Sequence, residues 1–181
     1  MSYFEHNKLV RGPQLVRQLV EGKSIALVTD AGTPGISDPG FMLVRGARAA
    51  GVPVVPVPGP SAVVTALSAA GIPADRFVFD GFLPVKPGKR RNRLRALKGL
   101  ETTIVLYESP HRIVATLEAI REVFGDAELV VARELTKQFE EIVTATPSVH
   151  LERLRGGAIK GEFTLVVPRS AGPERPTAED R

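Results

Sequence analysis

Apolar residues in this chain fall into short runs separated by glycine- and proline-rich turns, and the spacing inside each run selects helix or strand. Residues 2–4 read as the end of a strand. Residues 13–21 read as a helix with Leu15, Val16, Leu19 and Val20 on one face and Gly22 placed to stop it. The unbroken apolar run at 24–29 predicts a buried strand, and 41–50, closed by Gly51, a helix. Residues 54–57 predict a further strand, although Pro53, Pro56 and Pro58 make it a poor hydrogen-bond donor. The helix expected at 61–70 is made of small residues, Ala62, Ala66, Ala69 and Ala70, that permit close backbone approach, and Gly71 ends it. Repeated strand–helix–strand order with short loops predicts parallel pairing, right-handed crossovers and helices on the sheet faces.

Ile72-Pro73-Ala74-Asp75 reads as a linker, because the pattern changes after it. Residues 77–83 are aromatic and roughly alternating, as in a strand with one more exposed side. A helix at 89–98 and a strand at 102–107 follow. Ser109 then reads as a helix N-cap with Pro110 at the first position, Ile113, Leu117, Ile120 and Phe124 on the buried face, and Gly125 past the end. Strands are expected at 129–132, 141–146 and 163–167, with a short helix at 147–154. From Arg169 onward, proline, glycine and charge without apolar period predict a disordered tail. The expected organisation is α/β, with domains at 1–74 and 75–168 and a tail at 169–181.

The stretch Thr29-Asp30-Ala31-Gly32-Thr33-Pro34-Gly35-Ile36-Ser37-Asp38-Pro39-Gly40 joins the first long apolar run to a helix. Its glycines allow turns that a Cβ would resist, and its prolines limit the loop's freedom. Asp38-Pro39 reads as an N-cap followed by proline at the first helical position. Such loops, at the carboxyl ends of strands, are where open α/β sheets bind ligands. Two nucleotide signatures are excluded: there is no G-x-G-x-x-G here, and Gly22-Lys23-Ser24 lacks the earlier glycine of a P-loop, Arg17 standing in its place.

Composition adds four points. With 181 residues and 43% of them apolar, the chain is long enough for a real core. It contains no cysteine, and His6, His111 and His150 are too scattered to suggest a metal cluster. No stretch approaches a membrane span or a signal peptide, so a cytoplasmic protein is expected. The net charge of +4 is concentrated in one place: residues 84–100 hold Lys86, Lys89, Arg90, Arg91, Arg93, Arg95 and Lys98 with no acid, leaving 17 basic against 20 acidic residues elsewhere. A single-sign cluster favours a polyanion partner.

Five motifs in order, residues 30–40, Gly59-Pro60-Ser61-Ala62, Tyr107-Glu108-Ser109-Pro110-His111-Arg112, Arg133-Glu134-Leu135-Thr136-Lys137 and Gly161-Glu162-Phe163, resemble the tetrapyrrole-methylase-like methyltransferases. They most resemble the branch that methylates the ribose 2′-oxygen of a cytidine in small-subunit ribosomal RNA. The resemblance runs from about Ser2 to Val167. It implies two α/β domains, with a parallel N-terminal sheet and a mixed C-terminal sheet. It also implies S-adenosyl-L-methionine as cofactor in a cleft between them, small-subunit ribosomal RNA or the assembled subunit as partner, and a homodimer. On the same ground Asp30, Ala31, Gly32, Thr33 and Pro34 line the methionine end of the cofactor and Ser61 and Ala62 flank it. Arg133, Glu134, Gly161, Glu162 and Phe163 lie on its adenosine side. An ion pair of Glu134 or Glu162 with Arg133 or Lys160 is the competing reading.

No catalytic base is identified by the sequence. Glu108 and His111 are candidates, since they lie at a strand-to-helix turn, while Glu108 reads first as a cap or as a partner of Arg112. Lys86 to Lys98 is the expected RNA surface, and Phe82 and Tyr107 are the aromatic candidates for stacking. The family's first strand, its Pro/Gly turn and a further βα unit have no counterpart here, about fifty positions. The expectation is therefore that the natural reading frame begins upstream of Met1 or that this chain is inactive alone. Two other readings stand beside the RNA methyltransferase: a methyltransferase acting on a tetrapyrrole or a protein, and a non-enzymatic fragment that binds RNA or dimerises.

Overall fold

A strand exists only where a partner ladder accepts its hydrogen bonds, and in this chain that condition is met in the second half. The structure, a computed structural model, describes residues 1–169, so the tail expected beyond Arg169 lies outside the described residues. The chain divides into two compact units, Met1–Ser61 and Ala62 onward.

The first unit is built on α1 (Lys8–Val20) and α2 (Phe41–Ala49). Leu15, Leu43 and Ala47 are its buried apolar set. At Gly46 a Cβ would come within 2.9 Å of Val16 Cγ2, so the missing side chain allows close packing of the two helices. Helix α1 starts five residues before the expected position and carries Pro13 inside it. The Asn7 carbonyl accepts from the Val10 and Arg11 N–H groups and opens the helix early. Burial of Gly12 and Leu15 offsets the hydrogen bond that Pro13 cannot make.

Three expected strands are absent among the described residues. Residues 2–4 instead enter a turn closed by Asn7 N–H to the Phe4 carbonyl and Phe4 N–H to Asn7 Oδ1. Residues 24–29 and 54–57 join no ladder, so the expected N-terminal parallel sheet is not formed among the described residues. Val28, Val55 and Val57 are 81%, 79% and 83% exposed rather than buried. Apolar runs supply strand propensity, but not the neighbour that makes a sheet. The expected cap also moves: α2 starts after Gly40, and Asp38 instead accepts from Thr29 Oγ1 at 2.9 Å.

The second unit contains α3 (Ala62–Ala70), β1 (Phe77–Phe82), α4 (Pro87–Lys98), β2 (Thr103–Glu108), α5 (Ile113–Phe124), β3 (Leu129–Arg133), β4 (Glu141–Ala145), α6 (Pro147–Arg153) and β5 (Phe163–Val167). The sheet order is β1-β2-β5-β3-β4, with β1 and β2 parallel and the remaining pairs antiparallel. This is the mixed C-terminal sheet that the family resemblance implies. On one face Leu94 and Leu97 of α4, Ile113, Leu117 and Ile120 of α5 and Leu151 of α6 pack against Ile104, Leu106, Leu129 and Leu165. On the other face Val63, Ala66, Leu67 and Ala70 of α3 cover Val105, Val130, Ala132 and Val166. That packing puts α3 in the second unit, whereas the change in pattern at residues 72–75 suggested a boundary after it. Helix α5 begins four residues after the expected cap, because Ser109 accepts through its carbonyl from the Arg112 and Ile113 N–H groups in a turn.

Candidate functional site

In the first unit the loop 30–40 is held by few but well-placed contacts. Ile36 N–H bonds the Thr33 carbonyl, and Gly32, Gly35 and Ser37 take left-handed backbone angles. A Cβ on Gly40 would sit 3.0 Å from Gly35 Cα and 3.3 Å from Leu27 Cδ2, so glycine is required for this backbone crossing. Thr33 Oγ1 donates to the Pro60 carbonyl at 3.0 Å and so joins the two glycine-proline loops. Asp30, Ala31 and Gly32 are exposed, Thr33, Pro34, Ser61 and Ala62 half-buried. The Asp30 carboxylate has no hydrogen bond or ion pair among the described residues and is open to an external cation.

In the second unit, strand register collects the other motifs at one end of the sheet. Glu108 and Arg133 both lie opposite Phe163, and Phe82 lies opposite Tyr107. Tyr107 is edge-on to Phe79 and Phe82 at 4.7 and 5.9 Å, and Phe82 is half exposed. Arg133 donates from Nε to the Lys160 carbonyl at 2.8 Å, and its guanidinium lies 5.7 Å from the Phe163 ring centre. Glu134 accepts from the Glu162 N–H at 2.9 Å and from Lys137 Nζ at 3.0 Å, while Lys137 reaches Glu162 Oε2 at 2.9 Å. The bond from the Glu162 N–H, then Lys137, holds the Glu134 carboxyl below the usual carboxylate range, and the two glutamates raise Lys137. The partner of both glutamates is thus Lys137, not Arg133 or Lys160.

Glu108 is buried, and each of its oxygens is engaged. Oε1 accepts from Ser109 N–H at 2.8 Å and lies 3.4 Å from Arg112 Nε, and Oε2 accepts from Thr116 Oγ1 at 2.6 Å. Arg112 also donates to the Leu83 carbonyl. These contacts agree with the reading of Glu108 as a partner of Arg112, and they tie β2 to α5 and to the end of β1. His111 is exposed and makes no hydrogen bond among the described residues.

The basic segment divides by burial. Arg90 is 6% exposed and donates to the Pro84 and Val85 carbonyls, so it clamps the loop before α4 instead of presenting charge. Arg93 pairs with Asp80, Arg91 and Arg95 share Glu122, and Lys98 donates to the Val123 carbonyl. Lys86 and Lys89 remain exposed with no partner among the described residues. Partners 13 or more residues away have no signature in a local pattern.

Residues 5–148 match the model of the tetrapyrrole (corrin/porphyrin) methylases. The chain is 47% identical over 174 residues to a ribosomal RNA small subunit methyltransferase I of Xylella fastidiosa, covering 94% of this chain and 64% of that one. Relatives of the same name in other bacteria are 43% to 53% identical. The chain spans about half to two thirds of the length of these curated relatives. Among solved structures it is similar to the methyltransferase CobJ, with a TM-score of 0.67 at 23% identity over 94% of this chain and 74% of that one. It is also similar to the Thermus thermophilus uroporphyrin-III C-methyl transferase complexed with S-adenyl homocysteine, with a TM-score of 0.60 at 19% identity over 90% and 74%. With the family model covering most of the chain and the same fold in these structures, the chain belongs to the tetrapyrrole (corrin/porphyrin) methylase family.

Proposed function

We propose that this chain carries S-adenosylmethionine-dependent methyl transfer to the ribose 2′-oxygen of a cytidine in small-subunit ribosomal RNA. The observation that carries the reading is the level of identity to relatives named ribosomal RNA small subunit methyltransferase I. When bound, the cofactor supplies an electrophilic methyl group on a sulfonium, whose sulfur keeps the bonding pair and leaves neutral. The hydroxyl oxygen gains the new bond and loses its proton, so positioning carries much of the acceleration and little acid chemistry is needed.

The residues present fit such a cofactor. The free Asp30 carboxylate suits the ammonium of its methionine part by a charge-assisted bond. Thr33, Pro34, Ser61 and Ala62 are the neighbouring candidates on the joined glycine-proline loops. Arg133, Gly161 and Phe163 are candidates for the adenosine side, and Lys86 and Lys89 for RNA phosphates. The proposal includes a homodimer in the cytoplasm, where ribosomal subunits are met. No helix among the described residues is long and apolar enough to cross a membrane.

Calorimetry with S-adenosylmethionine tests the cofactor, and methyl incorporation into small subunits tests the reaction. Asp30→Ala is expected to weaken cofactor binding by about 1.5–3 kcal/mol, the worth of a hydrogen bond to a charged group. Unchanged affinity with the fold intact would remove this loop from the site.

A further inference from the structure

We infer that Lys137 is a positioning residue: its ammonium ties the carboxylates of Glu134 and Glu162 together and fixes the turn after β3 against the segment before β5. The ligand part of this inference rests on the methyltransferase reading, while the latch rests on geometry alone.

The turn after β3 has an unusual backbone. Glu134 and Thr136 take φ of 49° and 65°, a left-handed conformation that residues with side chains keep only where their surroundings over-determine it. The surroundings do so here. Glu134 N–H donates to the Glu162 carbonyl at 3.0 Å, and Glu162 N–H returns a bond to Glu134 Oε1 at 2.9 Å. Lys137 N–H bonds the Glu134 carbonyl at 3.0 Å, and Thr136 N–H bonds the Glu140 carboxylate. Gly161, at φ 91°, leaves the space: a Cβ there would lie 2.6 Å from Glu134 Cγ.

Two carboxylates brought this close repel each other unless a cation stands between them. Lys137 Nζ is that cation, 3.0 Å from Glu134 and 2.9 Å from Glu162. Glu134 Oε1 already accepts two bonds, so the latch holds that oxygen and the backbone around it in one arrangement. Arg133 and Phe163, the flanking candidates for the adenosine side, are the neighbours of Glu134 and Glu162 in sequence, so a shift of the latch moves them.

The test uses the whole 181-residue chain and the variants Lys137→Met, Lys137→Arg, Glu134→Gln and the double variant Lys137→Met/Glu134→Gln. Amide exchange at Glu134 and Glu162 should speed up in Lys137→Met and return toward the parent in Lys137→Arg. S-adenosylmethionine affinity should fall about twofold to fivefold in Lys137→Met, as befits an ion pair at a half-exposed site. The double variant should then be no weaker than the weaker single one, since both changes open the same latch. The KM for the methyl donor should rise with kcat nearly unchanged. Unaltered exchange in Lys137→Met overturns the latch. Additive effects of the two changes overturn it in favour of separate ligand contacts, and a kcat decrease that Lys137→Arg fails to rescue overturns it in favour of direct chemistry. If the parent chain binds no methyl donor, the methyltransferase reading fails while the exchange pattern still decides the latch.

Discussion

Glu108 shows what full burial asks of a charged residue. Its side chain has no exposed surface, and it accepts hydrogen bonds from Ser109 and Thr116 while pairing its charge with Arg112 at 3.4 Å. Removing it leaves the partly buried Arg112 guanidinium without its counter-charge. Glu108→Ala is therefore expected to lower unfolding stability by about 3 kcal/mol, read by urea denaturation. His150 gives a pH signature. Burial pushes its imidazole below the ordinary value, against the opposing pull of the Leu129 carbonyl 3.3 Å from Nε2. The unfolded chain then takes up the proton first, at about pH 6.5, so this stability is complete above that pH. It declines as pH falls toward the depressed folded value. His150→Gln, which keeps a donor for the carbonyl but does not titrate, should show a flatter stability profile between about pH 7 and 5.

Helix α4 carries the basic cluster, and its sides do different things. Arg93, Arg91 and Arg95 lean on Asp80 and Glu122, Arg90 holds the preceding loop, and of the cluster only Lys86 and Lys89 at its start are free among the described residues. The polyanion is thus expected to meet the N-terminal turn rather than the whole helix. Replacing Lys86 and Lys89 by glutamine should reduce the slope of log affinity against log salt by about 0.7–0.9 for each phosphate that is no longer neutralised. Filter binding to small-subunit RNA across a salt series measures it. The same change at Arg93 should instead loosen the bond between α4 and β1, visible as lower thermal stability.

At the scale of the whole molecule, the apolar segments 24–29 and 54–57 stand apart. They present Val28, Val55 and Val57 to solvent and join no ladder among the described residues. Unpaired apolar edges of this kind promote association. Val55→Lys with Val57→Lys is expected to leave stability within about 0.5 kcal/mol, as for exposed positions, while reducing concentration-dependent association in sedimentation experiments.

Local patterning fixed most of the elements: the spacing of Ile113, Leu117 and Ile120 found α5, the Pro147 turn found α6, and the run 163–167 found β5 as it stands. The glycines at 32, 35 and 40 already marked backbone that side chains resist. These are properties of a residue and its near neighbours, so they are legible before any fold is known. Pairing is different in kind. Whether an apolar run becomes a strand, whether Glu108 meets Arg112 and Thr116, and which arginines on α4 meet Asp80 or Glu122 depends on segments brought together from elsewhere in the chain. Those choices belonged to the folded arrangement, because hydrogen-bond ladders and ion pairs are set by distance in space and carry no period along the sequence.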